Sequence, residues 1–238
     1  MSFTARISKT AQNTPEWLEE RSKLFTASEA GIFLIEPKPT KVQVKARASM
    51  IRKKLEAFTE EGKLWAAEEN RKMPYLFDVK RGNELEPAAR ALYSKITGNE
   101  VVETGLCIHE SSIFDAESNA LSGFGCSPDG LIPCGEEWLK GVEIKCVRPA
   151  TIMEWIDDGV LPEKHSAQVH ISMAVTGLRE WDFFAYAPDM PPLLIHCQWS
   201  EITDKYLSSL KQLHADFLAY RAKLAKLTVV EITQKITP

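Results

Sequence analysis

Nowhere does the chain carry an apolar run near the roughly 18 residues that a membrane helix needs. Its first residues, MSFTARISKTAQNTPEW, lack the apolar centre of a signal peptide. The expectation is a cytoplasmic protein. Five cysteines are present, Cys107, Cys126, Cys134, Cys146 and Cys197, and none are paired as C-x-x-C. Structural zinc sites usually show such a pair, so the pattern speaks against zinc and for buried or half-buried thiols in a reducing compartment. The histidines, His109, His165, His170, His196 and His214, form no H-x-x-x-H or H-E-x-x-H spacing. His165 shares a helix face with Gln168, and it reads as a solvent-facing or core histidine before a cleft residue. The absence of G-x-S-x-G and of a glycine-rich phosphate loop removes support for serine hydrolases and P-loop ATPases. Internal repeats and low-complexity segments are also missing.

What is present is an ordinary soluble balance: 238 residues, 44% hydrophobic and 26% charged, enough for one large domain with a real core. The net charge of −4 argues against nucleic acid, but its distribution does not. From Lys38 to Arg81 there are twelve Lys and Arg against six Asp and Glu, so the rest of the chain carries −10. A basic segment on an acidic body suits a DNA-contacting surface, although a solvated helix face has the same composition.

Thr14-Pro15-Glu16 opens a helix, and Thr26-Ala27-Ser28-Glu29 reads as a second helix start. Pro37-Lys38-Pro39 breaks the chain. Val44, Ala48, Ile51, Leu55 and Phe58 then recur at helical spacing over about 42–58, with Lys41, Lys45, Arg52 and Lys54 mostly off that stripe. A helix over about 83–96 stops at Gly98. Strands follow at Glu100–His109, Gly123–Ser127 with Leu131-Ile132, and Trp138–Lys145. Two helices, about 150–157 and 162–176, precede strands at Trp181–Tyr186 and Leu193–Trp199. An amphipathic helix covers about 201–224. This order predicts an α/β fold: a mixed central β-sheet flanked by helices, with an N-terminal helical extension. No linker divides it. One domain is expected over 1–238, with a helical part about 14–98, a sheet core about 99–200 and a C-terminal helix about 201–226.

The stretch GCSPDGLIPCGEEWLKGVEIK, residues 125–145, carries the chemistry. Strand geometry projects Glu143 and Lys145 together and turns Ile144 the other way. If the strand bearing Asp129 pairs with this one, three charged side chains converge. Clustered carboxylates repel unless something positive sits among them. Lys145 is one such group, and a hard cation such as Mg²⁺, held by Asp129, Glu143 and the Ile144 carbonyl, is the natural other.

Pro128-Asp129 followed by Glu143-Ile144-Lys145 resembles the PD-(D/E)xK nuclease signature. Four blocks resemble the phage lambda-type, alkaline, YqaJ-like exonuclease family more specifically. They are Trp17-Leu-Glu-Glu-Arg21 with Thr26-Ala-Ser28-Glu29, then Arg81-Gly-Asn-Glu-Leu-Glu86, then Cys126-Ser-Pro-Asp129-Gly130 with Glu143-Ile-Lys145-Cys146, and Ala167-Gln168-Val169-His170 leading into Ser172-Met173. They come in the family's order over about 15–187. The resemblance implies a PD-(D/E)xK restriction-endonuclease-like core. It implies Asp129, Glu143 and the Ile144 carbonyl as metal ligands and Lys145 as catalytic lysine. Glu86 completes the site and fits the spacing from Arg81-Gly82 better than Glu84 does. Gln168 matches a glutamine near the nucleophile or scissile phosphate, and Arg21 and Ser28 match residues holding a 5′-phosphate.

The expected activity is Mg²⁺-dependent 5′-to-3′ digestion of double-stranded DNA, with Mn²⁺ as a substitute and two ions per site. Mononucleotides are released and 3′ single-stranded tails remain for phage-type recombination. The resemblance further implies a ring-shaped homotrimer on DNA ends, a single-strand annealing partner, and a phage or prophage gene in a bacterial host. An endonuclease of the same superfamily and an inactive DNA-binding relative are the alternatives. The resemblance is poor over Lys38–Met73.

Overall fold

The computed structural model describes residues 3–32, 40–64, 68, 77–115 and 120–227. In chain order the elements are β1 (Arg6–Ile7), α1 (Pro15–Ser22), β2 (Leu24–Thr26), a 3₁₀ turn (Ala27–Ile32), α2 (Lys41–Glu56), α3 (Phe77–Thr97), β3 (Cys107–Ile108), β4 (Ile113–Asp115), β5 (Ala120–Cys126), β6 (Gly130–Cys134) and β7 (Glu137–Cys146). They continue with α4 (Pro149–Asp158), α5 (Glu163–Thr176), β8 (Glu180–Tyr186), β9 (Leu193–Gln198) and α6 (Glu201–Leu224).

The strands form two sheets. One has the order β6-β7-β8-β9; β7 and β8 run parallel and the other pairs antiparallel, the mixed arrangement expected. The other has the order β1-β3-β5-β2, with β4 also on β5. Here β2 runs parallel to β5, with Thr26 beside Gly125. The two strands therefore run the same way, and Ser28 and Asp129 follow soon after their ends.

Alternation along β7 and β8 sorts the core. Val142, Ile144 and Phe184 pack against Ala89 and Tyr93 of α3. Trp181, Phe183 and Ala185 face the opposite way, into a cluster with Ile152 and Trp155 of α4, Val169 and Met173 of α5, and Leu210 of α6. Burying a side chain of this size stabilises the fold by roughly 1.5–3 kcal/mol. The mixed sheet is thus covered on both faces, and α3 lies across the face opposite α4 and α5.

Helix signals held at several ends. Thr14 caps α1 by accepting from Trp17 N at 3.2 Å. Gly98 (φ 73°) and Gly177 (φ 77°) follow α3 and α5 in the left-handed region that glycine enters at little cost. Other readings are corrected. The helix start at Thr26 is the end of a buried strand followed by a 3₁₀ turn, because Leu24 and Phe25 are buried in pairing with β5. The strand expected over Glu100–His109 shrinks to β3 plus a single bridge from Val102 to Leu131. Between them Gly105 passes so close to the Ser8 carbonyl that a Cβ would lie 2.3 Å from it.

On helix α2 the expected stripe holds at Ile51, Leu55 and, just past the helix end, Phe58, which pack on the core, and fails at Val44 and Lys54. Val44 is 52% exposed, while Lys54, expected to lie off the buried face, is 4% exposed. Met50 packs on the core as well. Cys134 is exposed, Cys146 is half-buried, and Cys107, Cys126 and Cys197 are buried. No described helix is long and apolar enough to cross a membrane. The Pro37–Pro39 break and parts of the basic segment fall outside the described residues.

Candidate active site

Three elements converge on Asp129. It stands immediately before β6, whose antiparallel pairing with β7 sets Gly130 opposite Val142. Asp129 Oδ2 accepts the Ile144 N–H at 2.7 Å, so the carboxylate is tied to the strand that carries Glu143 and Lys145. Lys145 Nζ lies 4.0 Å from that same oxygen. It also donates to Glu143 Oε1 and, at 3.3 Å, to the Ile144 carbonyl. On β7, Glu143 and Lys145 sit beside Phe183 and Ala185, so both side chains leave the sheet on its α5 side.

Helix α3 brings Glu86. Its Oε1 accepts from Arg90 Nη2 at 2.5 Å, one helical turn on, and Arg90 Nε also donates to the Asp129 carbonyl at 3.2 Å. Arg90 pairs with Glu103 as well. The guanidinium thus fastens Glu86 to the turn that presents Asp129. Arg90 escaped the sequence reading, although its i+4 spacing from Glu86 is an ordinary ion-pair signal. Gln12 supports the same turn, donating to the Pro128 carbonyl at 3.0 Å and the Thr104 carbonyl at 2.8 Å. A polar cavity of about 460 Å³, lined in part by Gln12, Asn83, Glu86 and Arg90, opens beside them.

The electrostatics follow from burial. Glu143 is 1% exposed. Desolvation drives its pKa up to about 7; Asp129 and Glu86 add to the rise, and Lys145 opposes it. Glu86 is raised too, first by burial and then by Asp129, with Arg90 acting against both. Burial alone would pull Lys145 down, but Glu143, Asp129 and Glu86 outweigh it and hold the ammonium above its ordinary value. Three carboxylates around one lysine leave an excess of negative charge, the condition that draws in a cation.

One atom tests the fit of a metal. Glu143 Oε2 is buried and has no hydrogen-bond partner. A carboxylate oxygen in that state is costly unless a cation meets it. No group of three or more His, Cys, Asp or Glu side chains is gathered at metal-binding spacing among the described residues. The donor set on offer is two carboxylates and the Ile144 carbonyl, with Glu86 close by. Those hard oxygens suit Mg²⁺, which keeps several waters and takes few protein ligands. The residues fit the group.

Gln168 lies on α5, half-buried, one turn before Ser172, whose carbonyl receives Cys126 Sγ at 4.0 Å. It shares a helix face with Ser172. It makes no hydrogen bond to Asp129, Glu143 or Lys145. His165 is packed between Trp155 and Phe183, each ring centre 5.4 Å away, which is the core reading.

Arg21 and Ser28, distant from these acids in sequence, are brought together. Arg21 Nη2 donates to Ser28 Oγ, and the guanidinium lies 5.1 Å from the Trp17 ring centre. Arg21 Nε is buried with no partner. Behind them Glu29 accepts from Thr26 and Lys54. In the sequence Glu29 belongs to a helix start and to the first family block, and Lys54 lies off the apolar stripe of α2; neither points to the other. The pairing spans 25 residues, so no local pattern announces it.

The YqaJ-like viral recombinase domain family matches residues 16–179. No curated protein matches the chain in sequence. Among solved structures, an alkaline exonuclease, LHK-Exo, from Laribacter hongkongensis is 28% identical, with a TM-score of 0.63 over 90% of this chain and 99% of that one. The same protein in complex with dAMP gives 27% identity and a TM-score of 0.63, over 90% and 99% of the two chains. A phage-related exonuclease from Haemophilus somnus 129PT is more distant, at 11% identity and a TM-score of 0.48 over 84% and 96%.

Proposed function

Since the chain belongs to the YqaJ-like viral recombinase domain family, and is a nuclease of the alkaline exonuclease type, we propose that it digests double-stranded DNA from the 5′ end toward the 3′ end. It releases mononucleotides and leaves a 3′ single-stranded tail for phage-type recombination. The observation that carries this reading is the presence of two unlike sites, one following each of two parallel neighbouring strands. Asp129, Glu143, Glu86 and Lys145 gather after β5, and the Arg21–Ser28 pair gathers after β2, the parallel neighbour of β5.

The chemistry proposed is phosphodiester hydrolysis with Mg²⁺, or Mn²⁺ in its place, and two ions per site. Asp129, Glu143 and the Ile144 carbonyl would hold the first ion, and Glu86 would complete the site. The bound ion supplies Lewis acidity to a phosphate oxygen and a more acidic water. Lys145, kept charged by three carboxylates, offsets charge on the phosphate and orients the attacking water. Gln168 of α5 would be the contact to the nucleophile or scissile phosphate. Arg21 offers a guanidinium fork to the terminal phosphate, and Ser28, exposed at the 3₁₀ turn, holds that guanidinium through its Oγ.

The setting is a phage or prophage recombination system in the cytoplasm of a bacterial host. A homotrimeric ring around DNA and a single-strand annealing partner belong to the same proposal. Their support is the resemblance of the four sequence blocks.

The test is digestion of linear duplex labelled at either end, beside a covalently closed circle, with and without chelator. Loss of 5′-label as mononucleotide, survival of the circle and arrest by chelator are expected. Cutting of the circle would make the protein an endonuclease of the same superfamily. Binding to DNA without cutting in Mg²⁺ or Mn²⁺ would make it an inactive relative.

A further inference from the structure

Behind the Arg21–Ser28 pair lies a second layer with its own directionality. Thr26 Oγ1 is 3.2 Å from Ser28 Oγ and 3.0 Å from Glu29 Oε2. The Thr26 N–H donates to the same carboxylate oxygen at 3.1 Å. Lys54 Nζ reaches both Glu29 oxygens, at 3.1 and 3.0 Å. Thr26 and Lys54 are 3% and 4% exposed, whereas Ser28 is exposed.

The donor inventory fixes how these groups point. An ionised Glu29 only accepts, so Thr26 spends its single hydroxyl proton there. Thr26 Oγ1 then has only lone pairs left, so Ser28 donates its one proton to Thr26 and turns a lone pair to Arg21 Nη2, which orients the guanidinium. Desolvation would raise Glu29, but Lys54 and Thr26 outweigh it and hold the group ionised. Burial pulls Lys54 down, and Glu29 counters that. The set holds two cations, Arg21 and Lys54, against one carboxylate. One donor, the buried Arg21 Nε, has nothing to bond.

We propose that Lys54 and Glu29 are positioning residues for a terminal phosphate monoester, acting through Thr26 to fix Ser28 Oγ beside Arg21. Lys54 has a second effect: it cancels the Glu29 charge, so that the pocket stays positive toward a dianion. The inference rests on the reading of Arg21 and Ser28 as the end-phosphate site. It also explains why α2 turns a lysine inward. The helix that supplies basic surface is pinned by Lys54 to the pocket that recognises the DNA end.

The experiment measures the ratio of digestion rates on 5′-phosphorylated and 5′-hydroxyl duplex. The proteins are wild type, Arg21→Ala, Thr26→Val, Thr26→Ser, Lys54→Met and the double variant Lys54→Met with Glu29→Gln. Thr26→Val keeps the shape and removes the hydroxyl, so the ratio should fall about fivefold, the worth of one neutral hydrogen bond. Thr26→Ser should restore it. Lys54→Met should lower the ratio about tenfold by leaving Glu29 uncompensated, and the double variant should recover part of that loss.

A change that is only structural would slow both substrates alike and leave the ratio standing, which overturns the inference. So does a full ratio in Thr26→Val when Arg21→Ala has lost it. If wild type itself shows no preference for phosphorylated ends, the end-phosphate reading beneath fails instead. Should Thr26→Val not fold, the comparison of Lys54→Met with its double variant decides: a ratio equal to wild type in both overturns the proposal.

Discussion

Asp129 accepts a hydrogen bond from the backbone N–H of Ile144 at 2.7 Å. Through that bond the residue that opens β6 is locked to the middle of β7. A carboxylate fixed in this way has one oxygen committed to the fold and the other left for chemistry. Ile144 serves on both sides of the strand: its side chain packs with Tyr93 and Phe184, while its N–H holds Asp129 and its carbonyl meets Lys145.

Asp129→Asn should keep the bond to Ile144, since an amide oxygen still accepts, and lose the charge. Glu143→Gln removes the neighbouring charge. Each should cut hydrolysis in Mg²⁺ by about 10²-fold or more, the scale seen when a charge-stabilising group is lost. Binding to duplex ends should persist, because it depends on phosphate contacts elsewhere. Rates by product release and affinity by fluorescence anisotropy check both halves. Wild-type turnover in Asp129→Asn would remove it from the site.

Glu143 sets a pH dependence. Its carboxyl, lifted by burial to about 7, is protonated below that value in the metal-free fold. Its folded value lies above its unfolded one, so its contribution to stability is fully present below the unfolded value of about 4.3 and is lost as pH rises to about 7. Metal-free protein should therefore lose stability across that window, and a divalent cation should restore it by binding the ionised form. Cation affinity should gain about tenfold per pH unit below 7 and level off above. Calorimetric titration with Mn²⁺ between pH 5.5 and 8.5 reads the slope, and in Glu143→Gln the slope should flatten.

How much of this was legible in the sequence depends on the reach of each signal. Thr14 and Gly98 act within one turn, and the helix ends they mark stand as read. The strand β7 and the shared face of Glu143 and Lys145 follow from a period of two. The split into two sheets does not, because β2 is only three residues long and exists by pairing with β5, about a hundred residues later. Lys54 on α2 departs from its expected place for a related reason. Lys54 counts as polar in any periodicity, yet it is buried because Glu29 waits for it.

Gly141 offers a test of packing on the catalytic strand. It sits opposite Trp181 in the parallel pairing, and a Cβ there would lie 2.4 Å from the indole ring. Trp181 is fully buried and has nowhere to retreat. Gly141→Ala should cost about 1–3 kcal/mol, as other overpacked cores do. Urea denaturation measures it, and unchanged stability would show that the indole can move.

Asp182 is the buried acid of the opposite face. Tyr93 of α3 donates to it at 2.5 Å, Lys140 of β7 lies at 2.6 Å and His196 of β9 at 2.7 Å. It ties the helix that carries Glu86 to the sheet that carries Glu143. Asp182→Ala leaves Lys140 without its partner and should destabilise by about 3–5 kcal/mol, whereas pairing it with Lys140→Met should recover a large part. Thermal denaturation of the two variants makes the comparison. An equal loss in both would mean that volume, not charge, is what Asp182 supplies.

The last prediction separates cations that face DNA from cations that hold the fold, both on α2. Lys41, Lys45 and Arg52 are exposed and fall on one side of the helix, four and seven residues apart. Arg47 lies on another side and reaches Asp216 of α6 at 2.8 Å. If the exposed stripe lines the DNA path, each residue touching a phosphate releases counterions and adds about 0.9 to the slope of log affinity against log salt. Replacing all three with alanine should lower that slope by up to about 2.7 and weaken binding to all sequences alike. The fold should be little affected, since exposed charges contribute little to stability. Arg47→Ala should do the reverse: leave the salt slope in place and cost up to about 1 kcal/mol, because Asp216 is 43% exposed and water screens the pair. Binding titrations from 50 to 300 mM salt on one blunt duplex, with a denaturation curve for each variant, give the four numbers needed. An unchanged slope in the triple variant would move the DNA path away from α2.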